Sequence, residues 1–180
     1  DAVEVTPLCT RIVNGAGVTV STIEHIMAAL AGCGVHNALV EIDGPEVPIL
    51  DGSAAPFVRG ILSRGVRALH ASVVAIEVLL PVSVHTAKGW ASLSPARPGQ
   101  GLTMDFHIAF DDAAIGTQDK SLDLANGSFV RELCDSRTFC RQADVEMMQA
   151  NGLALGGTYE NAVVVDGDDV LSPGGLRHDD

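Results

Sequence analysis

Apolar residues recur at helical spacing in "STIEHIMAALAGCG", Ser21 to Gly34. Ile23, Ile26, Met27, Leu30 and Ala31 fall at i, i+3, i+4, i+7 and i+8. That pattern predicts an amphipathic helix, with Gly32 and Gly34 as stop signals. At about 100° per residue, Glu24 lies on the flank of this apolar face and His25 roughly opposite it. Ser21 with Glu24 fits a capping box, which leaves His25 as an ordinary surface residue. A Glu-His pair with chemistry on the open side is the other reading.

The period then shortens. In "HNALVEID", Ala38, Val40 and Ile42 alternate with Asn37 and Glu41, which predicts a half-buried strand. "GPEVPILDGSAAPFVRGILSRG" follows. Its prolines favour an extended approach, and Ser53 and Pro56 suit the start of a helix that buries Phe57 and Ile61. Near "RALHA" the pattern changes again, which places a domain boundary around residue 70. "SVVAIEVLL", "VSVHTA", "WASLSP" and "LTMDFHIAF" read as short strands of an antiparallel meander. "LANGSFVRELCDS" and "QADVEMMQAN" read as helices, and "NAVVVDGDDVL" as a hairpin turning at Asp-Gly. "GSAAPFVRGIL" and "GSFVREL" share a Gly-Ser…Phe-Val-Arg echo too short to establish a repeat. Strands and helices in segregated order argue an α+β fold.

Composition narrows the function. With 180 residues, 47% of them hydrophobic, the chain can bury one core or two small ones. A net charge of −12 removes the electrostatic case for nucleic acid or an anionic membrane. No apolar run approaches the ~20 residues of a transmembrane segment, and no signal peptide is visible. Cys9, Cys33, Cys134 and Cys140 have no CxxC spacing, which favours reduced thiols and a cytoplasmic protein. Six scattered histidines include no HExxH, so any metal site is not contained in one local motif. The chain opens on Asp1 and stops at "GGLRHDD", so a fragment or processed chain is expected.

"STIEHIMAALAGCGVHNALVEIDGPEVPILDGSAAPF", "SRTF" and "GLALGGTYENAVVVD" together resemble the UDP-3-O-acyl-N-acetylglucosamine deacetylases, zinc amidases of lipid A biosynthesis in Gram-negative bacteria. The likeness runs from about Pro7 to Arg177. It implies two similar small domains, each a sheet packed with helices in a two-layer sandwich. Residues 1–70 would hold the later part of the first domain and 71–180 the earlier part of the second, with a strand-rich insert at about 152–176. The implied substrate is UDP-3-O-acyl-N-acetylglucosamine; no protein partner is inferred. The implied cofactor is Zn2+, which keeps an open position for water and lowers its pKa to about 7. By the same resemblance His25 is a zinc ligand, Glu24 the general base, and Thr138 the donor to the tetrahedral oxyanion. Leu8 and Cys9 fall at the active-site mouth, Arg137 and Phe139 among the substrate-binding residues, and Phe110 at a uridine-stacking position. Val145, Ala154, Thr158, Tyr159 and Val164 fall along a passage for the acyl chain, which suits the ~0.8 kcal/mol gained per buried methylene.

The match has gaps. The family completes its zinc site with a later His-Lys helix and an Asp four residues after that His, then a His as general acid; all are expected beyond Asp180. "SRTFCR" departs from the commoner Thr-Phe-Gly-Phe run at Cys140 and Arg141, and Asp112 stands where a His-Pro pair is expected. A non-catalytic remnant, or a nucleotide-sugar or acyl-binding module on the same scaffold, is the alternative function.

Overall fold

The computed structural model describes residues 2–4, 6 and 8–178. The chain opens with a small antiparallel sheet in the order β1 (Ala2–Glu4), β2 (Arg11–Val13), β3 (Thr19–Val20). Two helices follow, α1 (Glu24–Gly32) and α2 (Ala55–Arg64). Next come two separate hairpins, β4 (Val82–Thr86) with β5 (Gly89–Leu93), and β6 (Thr103–Ala109) with β7 (Thr117–Asp123). A single wide turn spans Phe129–Leu133, closed by the Cys134 N–H donating to the Phe129 carbonyl five residues back at 2.8 Å. β8 (Phe139–Arg141), α3 (Gln142–Ala150), β9 (Val163–Asp166) and β10 (Asp169–Val170) complete the chain. β9 pairs antiparallel with β10 and parallel with β8. The fold is mixed α+β.

The α1 helix starts three residues later than its sequence pattern suggests, and the capping box does not form. Ser21 is committed to a neighbouring segment: its N–H donates to the Pro45 carbonyl at 2.9 Å and its carbonyl accepts the Val47 N–H at 3.1 Å. Thr22, buried and at φ 57, then turns the chain, with its hydroxyl donating to Glu46 Oε1 at 2.6 Å. A β-branched residue held at positive φ is strained, and this junction is pinned from both sides.

The packed face of α1 also differs from the periodic one. Ala29 is fully buried and, with Ala28 and Cys33, packs against Ala54, Ala55 and Val58 of the α2 region and Cys134, Phe129 and Val130 of the wide turn. Met27 is exposed. Positions 25, 28, 29, 32 and 33 share one stripe, so His25 heads the packed row instead of opposing it. The reason is size: Ala28, Ala29 and Gly32 allow close approach, which a hydropathy pattern undervalues. Gly32 shows how close, since a Cβ there would fall 2.0 Å from Phe129 Cδ1. Ile26 and Leu30 line an open groove of about 670 Å³ on another side of the helix, with Phe57, Ile61 and Val35.

Ser53 assists α2 as expected, its Oγ accepting the Ala55 N–H at 3.3 Å, and Phe57 and Ile61 pack on the shared cluster. The short Gly-Ser…Phe-Val-Arg echo has a spatial counterpart, because Phe57 with Val58 and Phe129 with Val130 meet in that cluster.

Four expectations need correction. Residues 37–42 form no strand; Leu39 and Val40 are exposed and no ladder partner reaches them. The same holds for 72–80, where Val74 and Ile76 are 95% and 96% exposed. Alternation marks a sequence that fits a pleated surface, but a strand also requires a neighbour to accept its hydrogen bonds. The meander is likewise two independent hairpins, and β7, polar at four of its seven positions facing outward, escaped the pattern. "LANGSFVREL" forms the wide turn, with no side-chain cap. The "VVVDGDDV" hairpin is as expected, Asp166 pairing with Asp169 across Gly167 at φ 57.

Candidate active site

Glu24, the first residue of α1, is half-buried, and its Oε2 accepts the Thr10 backbone N–H at 3.0 Å. The Thr10 carbonyl in turn accepts the Ile23 N–H at 3.3 Å. Thr10 thus takes the reciprocal role that the capping box assigns to Ser21. The loop before it is closed by the Thr6 hydroxyl on the Cys9 carbonyl. Cys9 is half-buried and Leu8 is 59% exposed. Thr10 was not among the expected site residues, and a backbone donor leaves no signal in sequence.

His25 has no side-chain hydrogen bond among the described residues. Among those residues, no group of three or more His, Cys, Asp and Glu side chains could hold a metal. A catalytic zinc takes three protein ligands, and one imidazole does not make that donor set. The four cysteines are free. Burial pushes the Cys33, Cys134 and Cys140 thiols above their ordinary value.

Thr138 is fixed through its backbone. Its N–H donates to the Gly52 carbonyl at 2.7 Å and its carbonyl accepts the Val163 N–H at 2.9 Å, while its hydroxyl has no hydrogen bond among the described residues. Gly52 is required here: it sits at φ 83, and a Cβ would fall 2.4 Å from the Asn161 carbonyl oxygen.

Around Gly52 the side chains are densely bonded. Asp51 Oδ1 accepts the Ser53 N–H at 3.1 Å and the Ser53 hydroxyl at 2.8 Å. Arg177 donates from Nη2 to Asp51 Oδ2 at 2.9 Å and from Nη1 to Asp135 Oδ1 at 2.7 Å. Burial raises the Asp51 pKa, but the hydrogen bonds from Arg177 and Ser53 outweigh it and hold the carboxyl below its ordinary range. Arg137 donates from Nε to the Asp51 carbonyl at 3.0 Å and from Nη2 to the Glu160 carbonyl at 2.7 Å. Arg137 is thus a brace between two segments.

The remaining expected residues divide. Phe110 and Phe139 meet edge to face, ring centroids 5.4 Å apart, each 38% exposed. Tyr159 reaches α3, its hydroxyl donating to Gln142 Oε1 at 3.3 Å, one helical turn from half-buried Val145. Thr158 is exposed, its Oγ1 accepting the Glu160 N–H at 3.3 Å, and Ala154 is an exposed turn residue at φ 51. Val164 is 3% exposed in the centre of β9.

These features define an α+β protein whose first helix opens on a Glu-His pair and whose 50–53 loop fixes Thr138 through the main chain. A family model described as UDP-3-O-acyl N-acetylglycosamine deacetylase matches residues 1–180. Proteins named UDP-3-O-acyl-N-acetylglucosamine deacetylase are 51% identical in Phenylobacterium zucineum, over the whole chain and 60% of the relative, and 44% and 43% identical in Shewanella frigidimarina and Shewanella pealeana, over the whole chain and 58% of each. The chain belongs to the UDP-3-O-acyl N-acetylglycosamine deacetylase family. It spans about 60% of the length of these relatives. Among the described residues no helix is long and apolar enough to cross a membrane.

Proposed function

We propose that this chain carries the general base, the oxyanion donor and one zinc ligand of a deacetylase. Its reaction is hydrolysis of the N-acetyl group of UDP-3-O-acyl-N-acetylglucosamine, the committed step of lipid A synthesis, in the cytoplasm. Zinc is the cofactor, His25 is one ligand, and the other ligands lie outside these 180 residues. Water attacks the acetyl carbon while the Glu24 carboxylate takes a proton from it. The Thr138 hydroxyl donates to the carbonyl oxygen as negative charge develops there. The carbon–nitrogen bond then breaks, giving acetate and the free amine, with the amine's proton supplied by a group outside these residues.

One observation carries the reading: Glu24 is anchored through one oxygen to the Thr10 main chain, leaving its second oxygen without a protein hydrogen bond among the described residues. A carboxylate held on one oxygen and open on the other is what a positioned base requires. The acyl chain is assigned to the neighbourhood of Val145 and Tyr159, and the uridine to the Phe110–Phe139 pair.

The test is acetate release and zinc content measured on the complete protein and on His25→Ala. Zinc-dependent acetate release, lost together with metal in the variant, supports the reading. Full zinc occupancy in His25→Ala removes His25 from the metal site. A complete wild-type protein that binds the nucleotide sugar but releases no acetate favours the non-catalytic binding module.

A further inference from the structure

Thr138 has its main chain fixed on one side by Gly52 and on the other by Val163. Neither contact orients the loop that holds Gly52. That loop, residues 50–53, contains two positive-φ residues separated only by Asp51: Leu50 at φ 56 and Gly52 at φ 83. Among the described residues two side chains tie it to the turn leading into Thr138: Arg137, itself in that turn, reaches the Asp51 carbonyl, and Arg177 grips carboxylates on both segments.

We propose that Arg177 is a positioning residue for Thr138, locking the 50–53 loop to the 135–138 turn. The guanidinium spans both segments with its two ends. Nη2 meets the Asp51 carboxylate at 2.9 Å. Nη1 meets the Asp135 carboxylate at 2.7 Å and the Asp135 carbonyl at 3.1 Å, with Ser53 Oγ at 3.4 Å. Asp51 adjoins Gly52, the residue whose carbonyl receives the Thr138 N–H, and Asp135 lies three residues before Thr138. Ser53 is fully buried, so the loop side of the clamp is not free to re-form in solvent. The Arg177 side chain itself is about one-third exposed, at 31%, so its value is geometric. A planar fork fixes two acceptors at a set separation, which a single ammonium cannot do. Arg137, within the turn, adds a single bond to the loop's main chain at the Asp51 carbonyl, whereas Arg177 engages a carboxylate on each segment.

The inference rests on the oxyanion role given to Thr138 above, and a double-mutant cycle separates the two. The complete protein is assayed as wild type, Arg177→Lys, Arg177→Met, Thr138→Val and Thr138→Val/Arg177→Met, with thermal melts of each. The Arg177 variants are expected to lower kcat by about 10–100-fold, the scale of a small misplacement of a reacting group, while KM stays within about twofold. Arg177→Lys guards against a fold defect in Arg177→Met. In the Thr138→Val background the further loss from Arg177→Met should shrink to less than about twofold, because the hydroxyl it positions is already gone. Equal losses in both backgrounds would overturn the inference while leaving the role of Thr138 intact. So would wild-type kcat in a folded Arg177→Met. If Thr138→Val alone keeps full kcat, the oxyanion reading falls and takes the inference with it.

Discussion

The Thr10 backbone N–H donates to Glu24 Oε2 at 3.0 Å, across fourteen residues of chain. Glu24→Gln keeps an oxygen for that donor but cannot accept a proton near neutral pH. The variant of the complete protein should therefore melt near the wild type, retain its zinc, and lose about 10²–10⁴-fold in kcat. Steady-state kinetics with metal analysis checks this. A kcat near wild type at full metal loading would leave Glu24 as a structural anchor of the Thr10 loop.

The Thr138 hydroxyl has no partner among the described residues, so removing it should cost little in stability. Thr138→Val is expected to lower kcat by about 10²–10³-fold, the loss typical of one oxyanion donor, and Thr138→Ser to restore most of it. Comparison of both variants by kinetics and chemical denaturation decides the matter. Equal activity in Thr138→Val and Thr138→Ser would mean the hydroxyl is idle.

Gly52→Ala should be the most damaging small substitution in the 50–53 loop. It forces a side chain into φ 83 and drives a Cβ to 2.4 Å from the Asn161 carbonyl oxygen. A strained residue of this kind costs on the order of 1–3 kcal/mol, and the clash adds to it. Urea titration should show a lower midpoint than wild type, while Gly60→Ala, where a Cβ meets nothing within 4 Å on α2, should match or exceed wild type.

Acid should weaken the clamp in a defined direction. The Asp51 carboxyl is held below its ordinary value in the folded chain, so its contribution is present above the unfolded pKa of about 3.9 and is lost as pH falls through the lower folded value. Asp51→Asn should therefore lose less stability than wild type when pH drops from about 5 to about 2. Parallel denaturation curves for the two proteins across that window, with identical slopes, would remove Asp51 from the acid sensitivity.

Elements set by local chemistry were legible in the sequence, and elements that depend on distant partners were not. The Asp-Gly hairpin, α2 and α3 were legible because each depends on local chemistry: turn residues, a proline near the helix start, and one apolar spacing. The strands expected at 37–42 and 72–80 were not realised, since pairing depends on a neighbour that no local pattern can supply. His25 was misplaced relative to the packed face for a related reason. Periodicity counts large apolar residues, whereas the α1 contact is made by Ala28, Ala29, Gly32 and Cys33. Glu24, His25 and Thr138 came from resemblance to a family. The groups that hold two of them, Thr10 and Gly52, act through the main chain, and the Arg177 clamp joins residues 126 positions apart in sequence.

The fit of Gly32 against the Phe129 ring gives α1 a fixed index mark. A helix can slide along its neighbour only if the contacting surface is smooth, and here a ring fills the notch left by a missing side chain. Seven residues separate that notch from His25, about 11 Å at 1.5 Å per residue. The distance from the ring to the imidazole is therefore set by a rigid rod with one tooth. The earlier half of the chain is gauged against the later half before any ligand arrives.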